Sequence, residues 1–118
     1  MKVRYLLVSL SAGFVFAAGE PLKSGEKIYF SMGCYGCHGV YGEGVNTFPK
    51  LAGKSKNYLI KRLEELKSGI GHTSSKEMMV PYAKALSREQ IEAVSTFLAD
   101  SIEGENMEVP EDILGGNI

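Results

Sequence analysis

The chain has 118 residues, with 13 basic and 14 acidic side chains and a formal net charge of −1. That length suits one domain, and the modest acidity argues against a nucleic-acid binder. Two cysteines and two histidines would all be consumed by a single four-ligand zinc site, and a disulfide between cysteines so close in sequence closes too little chain to stabilise it much.

Lys2 and Arg4 precede an apolar run from Tyr5 to Ala18, broken only by Ser9, Ser11 and Gly13. A basic start, a short apolar stretch and small residues at its exit form a secretory leader, expected over 1–19, with cleavage after Ala17 or Gly19. The other reading is an uncleaved membrane anchor, although a comfortable span takes about 20 apolar residues. Either way the domain, expected over 20–104, is exported, which fits a bacterial periplasm. Without Lys2 and Arg4 the chain holds 11 basic and 14 acidic residues, a formal charge of −3. About 100 residues bury a limited share of their surface, so a large apolar cofactor would form much of the core.

The first helix is expected from about Ser24 to Met32, with Ser24 as cap and Ile28, Tyr29 and Met32 on one side. Gly25 and Tyr29, four apart, set a small residue beside a large ring, a notch in which a second helix can cross closely. Gly33-Cys-Tyr-Gly-Cys-His-Gly39 follows. C-x-x-C-H is the attachment signature of c-type haem. Two thiols, Cys34 and Cys37, must reach two vinyl groups on one edge of a planar ring, while His38 reaches the iron from one face through Nε2. One turn of helix ending at His38 meets that demand. A thioredoxin-type redox pair would need a preceding strand and a βαβ setting, which the sequence does not supply.

Gly39 to Thr47 is too rich in glycine for helix or strand, and Gly42 and Gly44 permit turns there. A phosphate loop is a poor alternative, because no strand precedes it and no Lys-Ser/Thr pair follows. In Phe48-Pro-Lys-Leu-Ala-Gly53, Pro49 offers a backbone carbonyl and no N–H. A carbonyl accepting from the Nδ1–H of a ligating histidine fixes its tautomer and raises its basicity, and Pro49 is the candidate acceptor. The plain alternative is a turn proline at the surface.

The second helix is expected over Ser55–Ser68, stopped by Gly69, with Tyr58, Leu59, Leu63 and Leu66 on its buried face. Lys54, Lys56, Lys61, Arg62 and Lys67 take much of the rest. The pattern breaks from Ile70 to Lys84, where Gly71, His72, Thr73, Ser74 and Ser75 read as a polar loop leading into Met78-Met79-Val80-Pro81. A soft, neutral thioether here would complete the iron's coordination and raise its potential relative to two histidines. Met79 is the candidate sixth ligand, Met78 the second choice and His72 a third, with an open position as the remaining option. The last helix carries a capping box, Ser87-x-x-Gln90, then an apolar stripe of Ile91, Val94, Phe97, Leu98 and Ile102 up to Gly104. Phe97 is the expected partner for the notch at Gly25. The acidic tail, 105–118, is expected to be extended or flexible.

These motifs resemble the class I c-type cytochromes over nearly all of the exported segment, and Phe48 to Gly53 is especially similar to small bacterial ones. The resemblance implies an all-α class I cytochrome c fold, three main helices and long loops around one covalent haem c. It puts Cys34, Cys37, His38, Pro49 and Met79 at the cofactor, with His38 and Met79 on the iron. It implies a periplasmic one-electron carrier between redox proteins such as an oxidase, a reductase or a flavoprotein subunit. The alternatives are a haem subunit of a larger oxidoreductase, such as a sulfide-oxidising flavocytochrome, and a gas-binding sensor with a weak sixth ligand.

Overall fold

The computed structural model describes residues 20–71, 73–101 and 108–115. The leader, His72, Ile102, Gly104 and the ends of the acidic tail lie outside the described residues. Six helices follow one another there: α1 (Glu20–Ser31), α2 (Tyr35–His38), α3 (Lys56–Lys67), α4 (Ser74–Ala85), α5 (Arg88–Asp100) and α6 (Glu111–Leu114). Extended pairing among the described residues is limited to one isolated bridge between Val45 and Phe48.

The frame is the crossing of α1 with α5. Gly25 sits so close to α5 that an added Cβ would meet the Ala93 carbonyl oxygen and come within 2.5 Å of the Phe97 Cβ. Four residues on, the Tyr29 ring tilts against Phe97 at 6.0 Å between centroids, with Phe30 edge-on to Tyr29 at 5.5 Å. Tyr29, Phe30, Leu59, Val94, Phe97 and Leu98 form the central cluster, so α3 joins the frame through Leu59. The helix α1 begins four residues before the expected Ser24. Pro21 is tolerated in a first turn because no N–H is needed from it there.

Helix ends follow local chemistry. The Ser87 hydroxyl accepts from the Gln90 N–H while the Gln90 side chain accepts from the Ser87 N–H, the reciprocal box expected of that spacing. The end of α3 is a Schellman closure: Gly69 N–H donates to Leu66 O at 2.9 Å and Ile70 N–H to Glu65 O at 3.0 Å. Gly69 holds φ at +84°, a conformation that costs glycine nothing.

Two segments depart from expectation. Most of the patternless stretch from Ile70 to Lys84, beyond the start of the polar loop predicted at 71–75, is helix α4, entered through the Thr73 hydroxyl, which accepts from Lys76 N–H at 3.2 Å. Polar residues and Pro81 hid it, yet Ala83 is fully buried and α4 packs along α3. Tertiary packing outweighs the weak local propensity. In the tail, residues 108–115 are not simply extended: α6 adds a turn of helix, and Val109 and Ile113 pack against the central cluster. That part of the tail lies near α1, where burial pushes the Glu26 carboxyl above its ordinary range and the Glu108 carboxylate adds to the rise.

Gly25→Ala should cost about 2 kcal/mol or more, because the added methyl strikes helix backbone rather than a flexible side-chain tip; chemical denaturation measures it. The tail has a pH dependence of definite sign. A carboxyl whose pKa is raised on docking contributes fully below the ordinary carboxylate range and loses that contribution as pH climbs through the raised value. Methyl resonances of Val109 and Ile113 should therefore report tighter docking at about pH 4 than at about pH 7, and Glu26→Gln should flatten most of that difference.

Candidate functional site

A cavity of about 680 Å³ opens between α2 on one side and α3, α4 and α5 on the others. That volume lies within the usual range of sites for organic cofactors, roughly 300–1,000 Å³. Cys34, Cys37, His38 and Met79 all line it, among Leu51, Leu59, Leu63, Leu66, Val94 and Leu98. Chemically active groups distant in sequence thus share one apolar chamber.

The short helix α2 and its N-cap Cys34 hold three of them. His38 N–H donates to Cys34 O at 3.0 Å, one helical turn, which sets both sulfurs and the imidazole along a single edge of the chamber. Burial pushes the Cys34 thiol up to about 11, so it stands protonated at neutral pH. Tyr29, fully buried, donates its hydroxyl to Gly39 O at 2.5 Å and ties α1 to the residue that ends α2. Burial, first, and then the neighbouring Cys34 hold that phenol far above its usual range.

His38 is buried, with the Phe48 ring edge-on at 6.2 Å. Its Nδ1 lies 2.9 Å from the Pro49 carbonyl oxygen. A carbonyl only accepts, so Nδ1 carries the proton and Nε2 is left with a lone pair for a metal. The glycine-rich loop makes this possible. Gly44 N–H donates to His38 O at 2.7 Å, and Leu51 and Ala52 N–H both donate to Gly42 O, at 2.8 and 3.0 Å. Gly44 is at φ +83°, and a Cβ there would lie 2.8 Å from both Lys50 N and Phe48 O. Only a glycine lets the chain double back and bring Pro49 over the imidazole.

Across the chamber, Met79 is half-buried and lines the wall, whereas Met78 is 59% exposed and does not. The Tyr58 ring also lines the chamber but is half-exposed rather than part of the core. Sequence reading placed Arg62 among the outward-facing cations. Its guanidinium instead stands 5.5 Å from the Tyr58 ring centroid and joins Lys50, Lys54 and Lys76 around the mouth. The four-residue spacing from Tyr58 to Arg62 was the available signal, since it sets both on one helical face. A hydrogen bond from Arg62 holds the Tyr58 hydroxyl below the usual phenol range.

A family model described as cytochrome c matches residues 22–101. The chain belongs to the cytochrome c family. Cytochrome c-554(547) of Halothiobacillus neapolitanus is 32% identical over 81 residues, covering 62% of this chain and 89% of that protein. A thiosulfate dehydrogenase electron acceptor from Stutzerimonas stutzeri (strain A1501) is 35% identical over 68 residues, or 57% of this chain and 32% of that one. Among solved structures, reduced recombinant cytochrome c4 from Pseudomonas stutzeri superposes with a TM-score of 0.60 at 31% identity, covering 70% of this chain and 48% of that chain. The chain thus spans about a third of the electron acceptor and about half of the cytochrome c4, but most of cytochrome c-554(547).

Cytochromes c carry covalent haem c and transfer electrons. The residues here fit that group: two thiols, an imidazole with a bare Nε2 and a thioether line one apolar space, and Lys50, Lys54, Arg62 and Lys76 line it too, offering partners for acidic substituents. The helical frame, without strands among the described residues, agrees with the class I cytochrome fold. Among the described residues no helix is long and apolar enough to cross a membrane.

Tyr29→Phe keeps the ring packing and removes one of two donors to the Gly39 carbonyl, leaving it only the Gly42 N–H at 3.1 Å. Denaturant unfolding of the haem-loaded protein should show a loss of about 1–2 kcal/mol, with the visible spectrum unchanged.

Proposed function

We propose that this cytochrome c is a periplasmic one-electron carrier that holds one haem c through Cys34 and Cys37, with His38 and Met79 as axial ligands. The observation that carries the reading is that these four side chains line a single apolar chamber in which His38 already has Nδ1 engaged by Pro49 O. Haem supplies an iron that changes oxidation state by one electron. The protein's part is to orient and to exclude. His38, locked in one tautomer and buried, is a stiff and basic ligand. The exposure of Met78 supports Met79 as the thioether ligand, and a thioether favours the reduced iron relative to a second imidazole.

With His38 and Met79 both holding the iron, no site would remain for a substrate, which favours outer-sphere electron transfer over catalysis. The leucines of α3 and α5 that line the chamber would keep water from a bound ring, so that little solvent would rearrange when the charge changes. Lysines and Arg62 at the mouth give the approach face a positive character suited to an acidic redox partner.

A second reading, a haem subunit held within a larger oxidoreductase, is favoured by the similarity to a thiosulfate dehydrogenase electron acceptor and by Tyr58, Ile70 and Tyr82, half-exposed apolar side chains at the chamber's rim. Purification from the native host separates the two: a free carrier runs as a small protein, a subunit comes with its partner.

Visible spectra of the purified protein in both oxidation states, with and without carbon monoxide, test the main proposal. Wild type should show a c-type spectrum that survives acid–acetone extraction and, when reduced, should bind the gas poorly. Met79→Ala should keep the covalent pigment, bind the gas readily and lower the potential, whereas Met78→Ala should change none of these. Ready gas binding by wild type would point instead to the sensor, with an open or weakly held sixth position.

A further inference from the structure

The helix α4, which carries Met79, is held from its far end. Residues 74–78 of its first turns are exposed, Met79 and Val80 are half-buried, and only Ala83 and the C-cap Leu86 are buried. Its N-terminal cap is local, Thr73 to Lys76, and fastens it to nothing else. Pro81 removes one rung from the helical ladder but locks its own φ, so the turn carrying Met79 follows wherever the C-terminal half is fixed.

What fixes that half is Lys67. From the last turn of α3, its half-buried side chain crosses to the end of α4, where Nζ donates to Lys84 O at 3.2 Å and also to Leu86 O. Carbonyls in the last turn of a helix have no intrahelical partner and carry the negative end of the macrodipole. One ammonium from the last turn of α3 therefore serves the C-terminal end of α4, and Leu86, one of the two residues it grips, lines the chamber. Arg88 and Glu64 add only a loose exposed pair at 3.9 Å between α3 and α5.

We infer that Lys67 is the positioning residue for the sixth ligand: its bonds to Lys84 O and Leu86 O hold α4 at the distance from α2 at which the Met79 sulfur stays on the iron. This rests on the reading that Met79 is that ligand. Lys67 touches neither cofactor nor ligand and acts only through the end of α4. Losing a charge-assisted clamp shifts the balance between a closed and an open α4 by roughly tenfold.

The test compares wild type, Lys67→Met, Lys67→Gln, Lys67→Arg and Met79→Ala as purified holoproteins. Three quantities are read: the sulfur-to-iron charge-transfer band of the oxidised protein, the carbon monoxide affinity of the reduced protein, and the thermal midpoint. Lys67→Met, which keeps the apolar stem, should weaken the band and raise the gas affinity roughly tenfold, with Lys67→Gln intermediate and Lys67→Arg near wild type. A lowered thermal midpoint with band and gas affinity unmoved in both Met and Gln variants would make Lys67 a purely structural residue and overturn the inference. Should Lys67→Met fail to fold, Lys67→Gln decides by the same two optical readouts. Met79→Ala serves as the control: if it leaves the band and gas affinity untouched, the ligand assignment itself has failed, whatever the Lys67 variants do.

Discussion

The hydrogen bond between His38 Nδ1 and the Pro49 carbonyl is the contact on which the site depends. A neutral imidazole has two tautomers, and only one offers Nε2 to a metal at the end of α2. A carbonyl acceptor leaves no choice between them. The loop from Gly39 to Gly53 is shaped to deliver that oxygen: hydrogen bonds at its base draw it closed, and glycines stand where side chains would collide with the backbone. The loop with the least regular structure in the chain is therefore among its most constrained parts.

Around that contact the helices divide the labour. The crossing of α1 and α5 is dense, with backbone against backbone at Gly25, and it supports α2 through the Tyr29 hydroxyl. The helices α3 and α4 wall the opposite side, where Leu63 and Leu66 of α3 and Met79 and Tyr82 of α4 line the chamber. A chain of this length has little interior to spare, so a volume of about 680 Å³ left to water forfeits much of the available apolar burial. The prosthetic group is, in that sense, a structural member of the core. Stability and loading with haem should rise and fall together.

Much of this was legible in the sequence because the signals were local. C-x-x-C-H dictates one turn of helix by the geometry of its targets, Ser87 and Gln90 announce a helix start, and Gly69 marks an end. Pro49 was legible through what it lacks. What escaped was decided by distant contacts. The helix α4 begins with polar residues and contains a proline, so only its packing on α3 reveals it. The tail reads as acidic and loose, yet Val109 and Ile113 find apolar surface on a core whose shape no local pattern encodes. Arg62 looked like one more surface cation because its value lies in facing a chamber, and facing is a property of the assembled helices.

The buried phenol of Tyr29 has one more implication. A tyrosine gives up an electron readily only if its proton has somewhere to go, and the oxygen that Tyr29 meets is a peptide carbonyl, far too weak a base to receive one. Burial disfavours the phenolate as well. The ring thus lines the chamber with no base beside it to take its proton, which disfavours Tyr29 as a relay for oxidising equivalents into the polypeptide.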